Sequence, residues 1–195
     1  MKNFIIAFIL ALFTFGYATA QQPIENYLGT NEALNFDNTE YTLGWSSHPS
    51  EFQYLQEYFP EGQSPEKFND MLSVWLFVGD FSAKEYIRNM ANTYEEREKI
   101  DRASHYQSYE TDGDYMFECL RSEADGNKLT GIEFNIYRSK DVEIDEKKAM
   151  LICFYSGQAT GEDIKSFLIK LKERRVQLLE AMFAFEYPTI KLNER

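Results

Sequence analysis

The sequence is poor in basic residues. It has 20 lysines and arginines against 32 aspartates and glutamates, which gives a formal net charge of −12. Binding to nucleic acid depends on basic side chains that neutralise phosphates, so this composition argues against a nucleic-acid partner. An anionic ligand would also be repelled at long range unless a local basic patch overcomes the net field.

The sequence also lacks a recognisable catalytic or cofactor motif. Residues 46–48 place two serine hydroxyls beside the His48 imidazole, but there is no glycine-framed serine elbow, and neighbours in sequence rarely form a nucleophile and its base. Residues 110–114 hold three carboxylates, yet they lack the regular spacing and the distal glutamate of a calcium loop. Turns explain both segments, and we expect no metal and no cofactor.

Cysteine is scarce, with two in the whole chain, Cys119 and Cys153. A hairpin signal at Asp125-Gly126 pairs the strand of Cys119 with the next strand and places Cys119 near Ile132. Cys153 then falls on a third strand. Two strand spacings of roughly 4.8 Å each exceed the approximately 7 Å that a disulfide allows between Cα atoms, so we predict two buried free thiols.

Long apolar runs are absent after the first 20 residues, so no later segment is expected to span a membrane. Residues 1–20 themselves begin with Met1-Lys2, continue with an apolar run and end in Ala18-Thr19-Ala20. This pattern is typical of a secretory signal peptide. It predicts export, to the periplasm or the extracellular space, after cleavage near Ala20.

The segment around which the chain is organised is residues 50–78. Alternating aromatic residues in 51–59 predict a strand, and Pro60 and Gly62 predict a tight reversal. Ser64-Pro65 then predicts the start of a short helix that carries Phe68, Met71 and Leu72 on one side. The unbroken apolar residues 74–78 predict a buried central strand.

The same segment carries a resemblance. Tyrosine, proline and glycine precede an aromatic residue and a methionine, and this spacing resembles a pattern in small exported bacterial domains of unassigned role; the residues are Tyr58, Pro60, Gly62, Ser64, Phe68 and Met71. More loosely, the order of elements is similar to the PsbP-like α+β fold. The resemblance implies a binding or accessory protein and no catalytic residues.

Strands on either side of a long helix complete the predicted sheet. Residues 39–46 and 51–59 form a hairpin turned at His48-Pro49-Ser50, and a helix capped by Ser82 and Glu85 runs to about Ala103, with His105 at its end. The strands in 115–122, 129–138 and 149–156 follow. We expect one core face holding Tyr115, Phe117, Cys119, Ile132, Phe134, Ile136, Leu151, Cys153 and Tyr155.

The other face of these strands holds the catalytic candidates. Glu118, Glu133 and Tyr137 would lie together there, beside Met150, Ile152 and Phe154. Paired carboxylates are the tools of glycoside hydrolysis, so Glu118 and Glu133 are the pair expected to act if the protein is a hydrolase. Glutamates on the solvent side of an antiparallel sheet are the simpler explanation, and we favour a protein without catalysis.

A final helix starts at Thr160 and ends before Tyr187-Pro188, and its apolar residues from Ile164 to Met182 recur at helical spacing, so it should cover the core face of the sheet. Its outer surface concentrates positive charge in Lys165, Lys170, Lys172, Arg174 and Arg175. A solvated helix face explains these residues. The alternative is an anionic ligand or acidic partner docked on Lys165, Lys172, Arg174 and Arg175.

Taken together, these patterns predict an α+β fold with an antiparallel sheet flanked by helices. The predicted organisation is a signal peptide in 1–20, a flexible arm in 21–36, one domain in 37–188 and a tail in 189–195. Such a domain is large enough to bury about 70% of the surface of its unfolded chain. The function expected first is an exported, non-catalytic binding or accessory protein. The alternatives are a carboxylate-based hydrolase and a protein-interaction module of the inhibitor or immunity type.

Overall fold

An eight-stranded antiparallel sheet forms the body of the protein. The computed structural model describes residues 24–126 and 128–193, so the predicted signal peptide lies outside the described residues. The strands are β1 Ala33–Phe36, β2 Thr39–Ser50, β3 Gln53–Pro60, β4 Asp70–Val78, β5 His105–Thr111, β6 Asp114–Asp125, β7 Lys128–Ile144 and β8 Lys147–Thr160. Their order across the sheet is β1-β2-β3-β4-β8-β7-β6-β5.

Two helices lie on opposite faces of this sheet. Helix α1, Ala83–Glu98, carries the chain from the centre of the sheet at β4 to the far edge at β5, and packs mainly against β5, β6 and β7. Helix α2, Ile164–Ala184, follows a single 3-10 turn and packs against β7 and β8. The predicted α+β fold, with a long C-terminal helix on an antiparallel sheet, is confirmed.

Turn chemistry explains the hairpins that build the sheet. Asp112 and Gly113 between β5 and β6 both have positive φ, at 49° and 82°, as do Asp37 and Asn38 between β1 and β2, at 47° and 61°. Two such residues in a two-residue loop give a turn whose twist matches that of the flanking strands, and aspartate, asparagine and glycine tolerate that conformation. The turns therefore set the register locally.

The larger core lies on the α2 face of the sheet. Leu178 and Met182 of α2 pack there with the buried apolar residues of β4, β7 and β8. The part of this face that α2 does not reach is covered by both ends of the described chain. The backbone N–H of Lys191 donates to the carbonyl of Leu28 at 2.8 Å, and Leu28 is fully buried.

That arrangement corrects the prediction of a flexible arm in 21–36. From Leu28 onward this segment belongs to the fold, because Leu28 fills the core and β1 pairs with β2. Hydrophobic periodicity in the sequence does not reveal this packing, because one buried leucine and a four-residue edge strand are too short to show a periodic pattern.

The short helix predicted after Ser64 is wrong. Residues 61–69 form turns closed by two backbone hydrogen bonds between Ser64 and Lys67, and β4 begins at Asp70, so Met71 and Leu72 are strand residues. The Gln63 side-chain oxygen accepts from the backbone N–H groups of Asn69 and Asp70 at 2.6 and 3.0 Å. These contacts tie down the loop in an irregular conformation that the Ser-Pro helix signal did not anticipate.

Several predicted boundaries also shift. The β2–β3 hairpin turns at Glu51-Phe52, not at His48-Pro49-Ser50, which lie within β2 at a register irregularity. Helix α1 starts where predicted, with the Ser82 hydroxyl accepting from the Glu85 N–H, but it ends at Glu98. His105 consequently opens β5.

The three-strand meander is confirmed in its order but not in its faces. Cys119 pairs with Asn135, not near Ile132, so the faces of β6 are shifted by one residue relative to the prediction. Tyr115, Phe117 and Cys119 therefore lie on the α1 face, while Cys153 lies on the α2 face. Both cysteines are free and buried, as predicted, and the sheet itself separates them.

Candidate functional site

A cleft of about 320 Å³ lies between helix α2 and the sheet. It opens where the first half of α2 passes over the ends of β4 and β8. Ligand pockets in proteins occupy roughly 300–1,000 Å³, so the cleft has room for a small organic molecule. Its walls come from elements far apart in sequence, which the sheet order brings together.

The floor of the cleft is apolar and its rim is polar. Phe134, Ala159, Phe167, Leu171 and Leu178 form the floor. The rim carries side chains that can hydrogen-bond or hold charge: Asn69, Asp70, Tyr155, Gln158, Asp163, Ser166, Lys170 and Arg174. An apolar floor with a few convergent polar groups is the usual composition of a small-molecule site.

Tyr155 and Asp70 form a hydrogen bond in the wall of the cleft. The Tyr155 hydroxyl donates to Asp70 Oδ1 at 2.5 Å, and its ring stacks on Phe36 with centroids 5.2 Å apart. Burial, together with the negative charge of Asp70, raises the pKa of Tyr155 well above its ordinary value. The phenol is therefore a neutral hydrogen-bonding group, not a base.

Gly157 leaves the room that Tyr155 occupies. It pairs with Asp70 across β4 and β8, and a Cβ at this position would lie 2.8 Å from the Tyr155 hydroxyl oxygen and 3.4 Å from Phe167 Cε2. A side chain there would push both rings. The cleft therefore keeps its shape only with glycine at position 157.

The two cations of the rim differ in their partners. Arg174 donates to Asp37, which also accepts from Gln177 Nε2 at 2.6 Å, and the Asp37 carboxylate raises the pKa of Arg174. Lys170 is exposed and has no ion pair within the described parts of the chain. Lys170 is therefore the cation of the rim that is available to a ligand.

The predicted carboxylate pair is not formed. Glu118 faces α2, where Arg175 donates to both its carboxylate oxygens and the Tyr109 hydroxyl donates at 2.7 Å. Glu133 lies on the opposite face. It is paired with Arg121 in the β6–β7 register, and its carboxylate accepts hydrogen bonds from the Arg121 guanidinium. The one-residue error in the faces of β6 is the reason that these two groups were placed together.

Tyr137, the third catalytic candidate, is a packing residue on the α1 face. Its ring stacks on Phe154 with centroids 4.8 Å apart and lies 6.4 Å from Phe117. Burial raises its pKa well above the ordinary value of 10.0. A half-buried neutral phenol packed between aromatic rings is suited to packing and not to proton transfer at neutral pH.

The predicted basic surface of α2 is divided by the fold. Arg175 reaches the buried Glu118 and Arg174 reaches Asp37, so both guanidinium groups bind the protein itself. Lys165 and Lys172 remain exposed on the helix. The four residues consequently do not form one docking patch.

Sequence reasoning missed Tyr155, Asp70 and Gly157. Tyr155 was assigned to the core face, and that assignment is correct, but its hydroxyl reaches the cleft. The sequence did contain a signal. The apolar run of β8 ends in a tyrosine and a glycine, and the loop before β4 is polar. Only the pairing of β4 with β8 places Asp70 beside them.

Neither a membrane-spanning helix nor a metal-binding cluster is found in the described part of the chain. None of the helices in residues 24–126 and 128–193 is long and apolar enough to cross a membrane. In the same residues, no group of three or more histidine, cysteine, aspartate or glutamate side chains is arranged to hold a metal ion.

Comparison with known proteins gives one match. No curated protein and no solved structure matches the chain. A family model matches residues 28–187, which run from the buried Leu28 to the tyrosine beyond α2. Because this match covers well over half of the sequence, the chain belongs to that family, whose function is uncharacterised.

Proposed function

We propose that the protein is a non-catalytic binding protein whose ligand is a small amphipathic organic molecule held in the cleft under α2. The observation that carries this proposal is the combination of an apolar floor with a hydrogen-bonding rim in a space of about 320 Å³. The apolar body of the ligand lies on Phe134 and Leu171. Its polar end lies near Lys170 and the Tyr155–Asp70 pair.

The rival functions have less support. A hydrolase using Glu118 and Glu133 would need both carboxylates at one substrate, and the sheet separates them. A protein-interaction role through the basic face of α2 would need Arg174 and Arg175, which are engaged in ion pairs within the protein. The binding role is therefore the one that the geometry favours.

The proposal includes export, which rests on the sequence pattern of residues 1–20 alone. It also keeps the PsbP-like resemblance, which rests on the order of elements and agrees with a binding or accessory role. A chain that begins near Gln21 in the mass spectrum of the protein purified from cells would support export, whereas an intact Met1 would count against it.

The test of the cleft uses 8-anilinonaphthalene-1-sulfonate, an amphipathic anion, as the probe. Titration with native protein should give saturable fluorescence enhancement. Ala159→Leu fills the floor and should weaken the apparent affinity by about fivefold or more, and Lys170→Ala should weaken it by removing the free cation of the rim.

Matched controls make the result specific. Ala124→Leu adds the same side chain at an exposed strand position, and Lys172→Ala removes an exposed lysine that does not line the cleft. Both controls should bind the probe as the wild-type protein does. Equal binding by wild type, Ala159→Leu and Lys170→Ala, with unchanged urea midpoints, would show that the probe binds elsewhere and would refute the proposal.

A further inference from the structure

The α1 face of the sheet is only partly covered. Helix α1 packs mainly over β5, β6 and β7, while β2, β3 and β4 carry large apolar side chains on the same face. We call this part the aromatic face and define it by Trp45, Leu55, Glu57, Ser73 and Trp75. Trp45 is 37% exposed, and Leu55 and Trp75 are half-buried.

Glu57 lies in the middle of the aromatic face. The register places it directly opposite Trp45 on β2 and opposite Ser73 on β4. Side chains opposed in this way have Cβ atoms about 4.5–5.5 Å apart, and Trp75 is the diagonal neighbour. Among these neighbours of Glu57, Ser73 is small, whereas Trp45 and Trp75 are large.

Among the described residues, the carboxyl of Glu57 has no partner of the kind that other buried carboxylates have. Glu118 binds Arg175, Glu133 binds Arg121 and Asp101 binds Arg97. Glu57 is half-buried and has no ion pair or side-chain hydrogen bond within residues 24–126 and 128–193. Its burial without a counter-charge raises the pKa of this carboxyl above its ordinary value.

Two further polar atoms of the same face are unsatisfied. Trp75 Nε1 and Ser73 Oγ are buried and have no hydrogen-bond partner among the described residues. Most buried polar atoms in native proteins are paired, so three unpaired groups on adjacent strand positions are unusual. The Ser73 hydroxyl and the Trp75 N–H are closed off from solvent, so the half-buried Glu57 carboxylate is the one of these three groups that a ligand can reach.

We propose that the aromatic face binds a small organic cation through an alkylammonium group, which lies against the Glu57 carboxylate and the ring faces of Trp45 and Trp75. A carboxylate without a counter-ion attracts a cation, and tryptophan is the aromatic side chain that binds ammonium groups best. The net charge of −12 raises the local concentration of cations around the protein. A bare divalent metal fits less well, because the aromatic walls supply no oxygen ligands.

The test is direct because the chain has two tryptophans and both belong to this face. Intrinsic tryptophan fluorescence therefore reports on the proposed site. The probes are tetramethylammonium and n-butylammonium chloride, with sodium chloride at equal ionic strength as the reference. Both ammonium salts should give a saturable change, and sodium chloride should not.

Variants separate the site from general electrostatics. Glu57→Gln keeps the shape of the side chain and should weaken binding of both probes about tenfold. Glu40→Gln removes the same charge from an exposed position of β2 and should leave binding unchanged. Urea midpoints of both variants establish that they are folded.

Three results would overturn the assignment. The first is the absence of a saturable response, and the second is equal binding by the wild type and Glu57→Gln. The third is a response to phosphatidylcholine vesicles without a response to the soluble ammonium ions, which would make the occupant a membrane surface. None of these results bears on the cleft under α2, which lies on the opposite face of the sheet.

Discussion

The ion pair between Arg175 and Glu118 should contribute strongly to the stability of the fold, and Arg175→Met tests this contribution. The Glu118 side chain is 3% exposed and the Arg175 side chain 35%. Removing one partner of a fully buried pair costs about 3–5 kcal/mol, because the other charge is left uncompensated. Partial exposure of the guanidinium lets water screen part of that cost, so we expect a loss of about 2–3 kcal/mol.

The assay is urea denaturation followed by far-UV circular dichroism, together with the melting temperature. For a protein of this size, roughly 2–4 °C is lost per kcal/mol, so Arg175→Met should melt about 4–12 °C below wild type. Lys172→Met is the matched control, since Lys172 is exposed on the same helix, and it should stay within about 0.5 kcal/mol of wild type.

A second substitution identifies the physical cause. Glu118→Gln removes the charge that Arg175→Met leaves uncompensated, and the amide oxygen of the new side chain can still accept from the Tyr109 hydroxyl. The double variant should therefore recover at least half of the lost stability. A loss below about 0.5 kcal/mol in Arg175→Met, or no recovery in the double variant, would refute the claim that this ion pair contributes strongly to the stability of the fold.

Three other contacts give measurable effects. Gly157→Ala should lower the free energy of unfolding in urea by about 1–3 kcal/mol, because the new Cβ displaces the Tyr155 hydroxyl. Gly131→Ala should cost little, since the nearest atom to its Cβ would be 3.5 Å away. Equal losses in the two variants would contradict the contact. Both cysteines should react with a thiol reagent at pH 8 without reductant only after denaturation, since each is buried with a raised pKa; rapid labelling of the native protein, or no free thiol after denaturation, would contradict this. Burial opposes the charge of Asp101, but hydrogen bonds from Ser122, Ala103 and Arg97 together outweigh it and lower the Asp101 pKa. This carboxylate therefore stabilises the fold above its ordinary pKa of 3.8 and loses that effect as the pH falls. The difference in unfolding free energy between wild type and Asp101→Asn should thus shrink below about pH 4, and a difference independent of pH would refute the argument.

The sequence was most informative where local chemistry decides the conformation. The Ser82 cap with Glu85, the Asp125-Gly126 hairpin and the long helix before Tyr187-Pro188 were all predictable, since each depends on neighbours within a few residues. The apolar run of residues 74–78 likewise predicted a central strand, because both of its faces had to be covered. These elements were sufficient to predict an antiparallel α+β fold.

The surroundings of the predicted catalytic residue Glu118 were much less predictable. Glu118 was correctly placed on a strand, but its face was wrong, since a strand with apolar residues on both sides does not show which side faces which helix. Its partner Arg175 is 57 residues away. The sequence does not distinguish an arginine that is solvated on a helix surface from one that binds a buried carboxylate.

The amino-acid sequence by itself determined both long helices, most of the strands and the strong negative charge of the chain, because these depend on side-chain type and on short-range geometry. The tertiary structure alone decided that β4 pairs with β8, that Asp70 meets Tyr155 in a cleft, and that Glu57, opposite Trp45, has no charged partner among the described residues. The physical reason is that a sheet register joins residues tens of positions apart, and a shift of one residue moves every side chain of a strand to the other face.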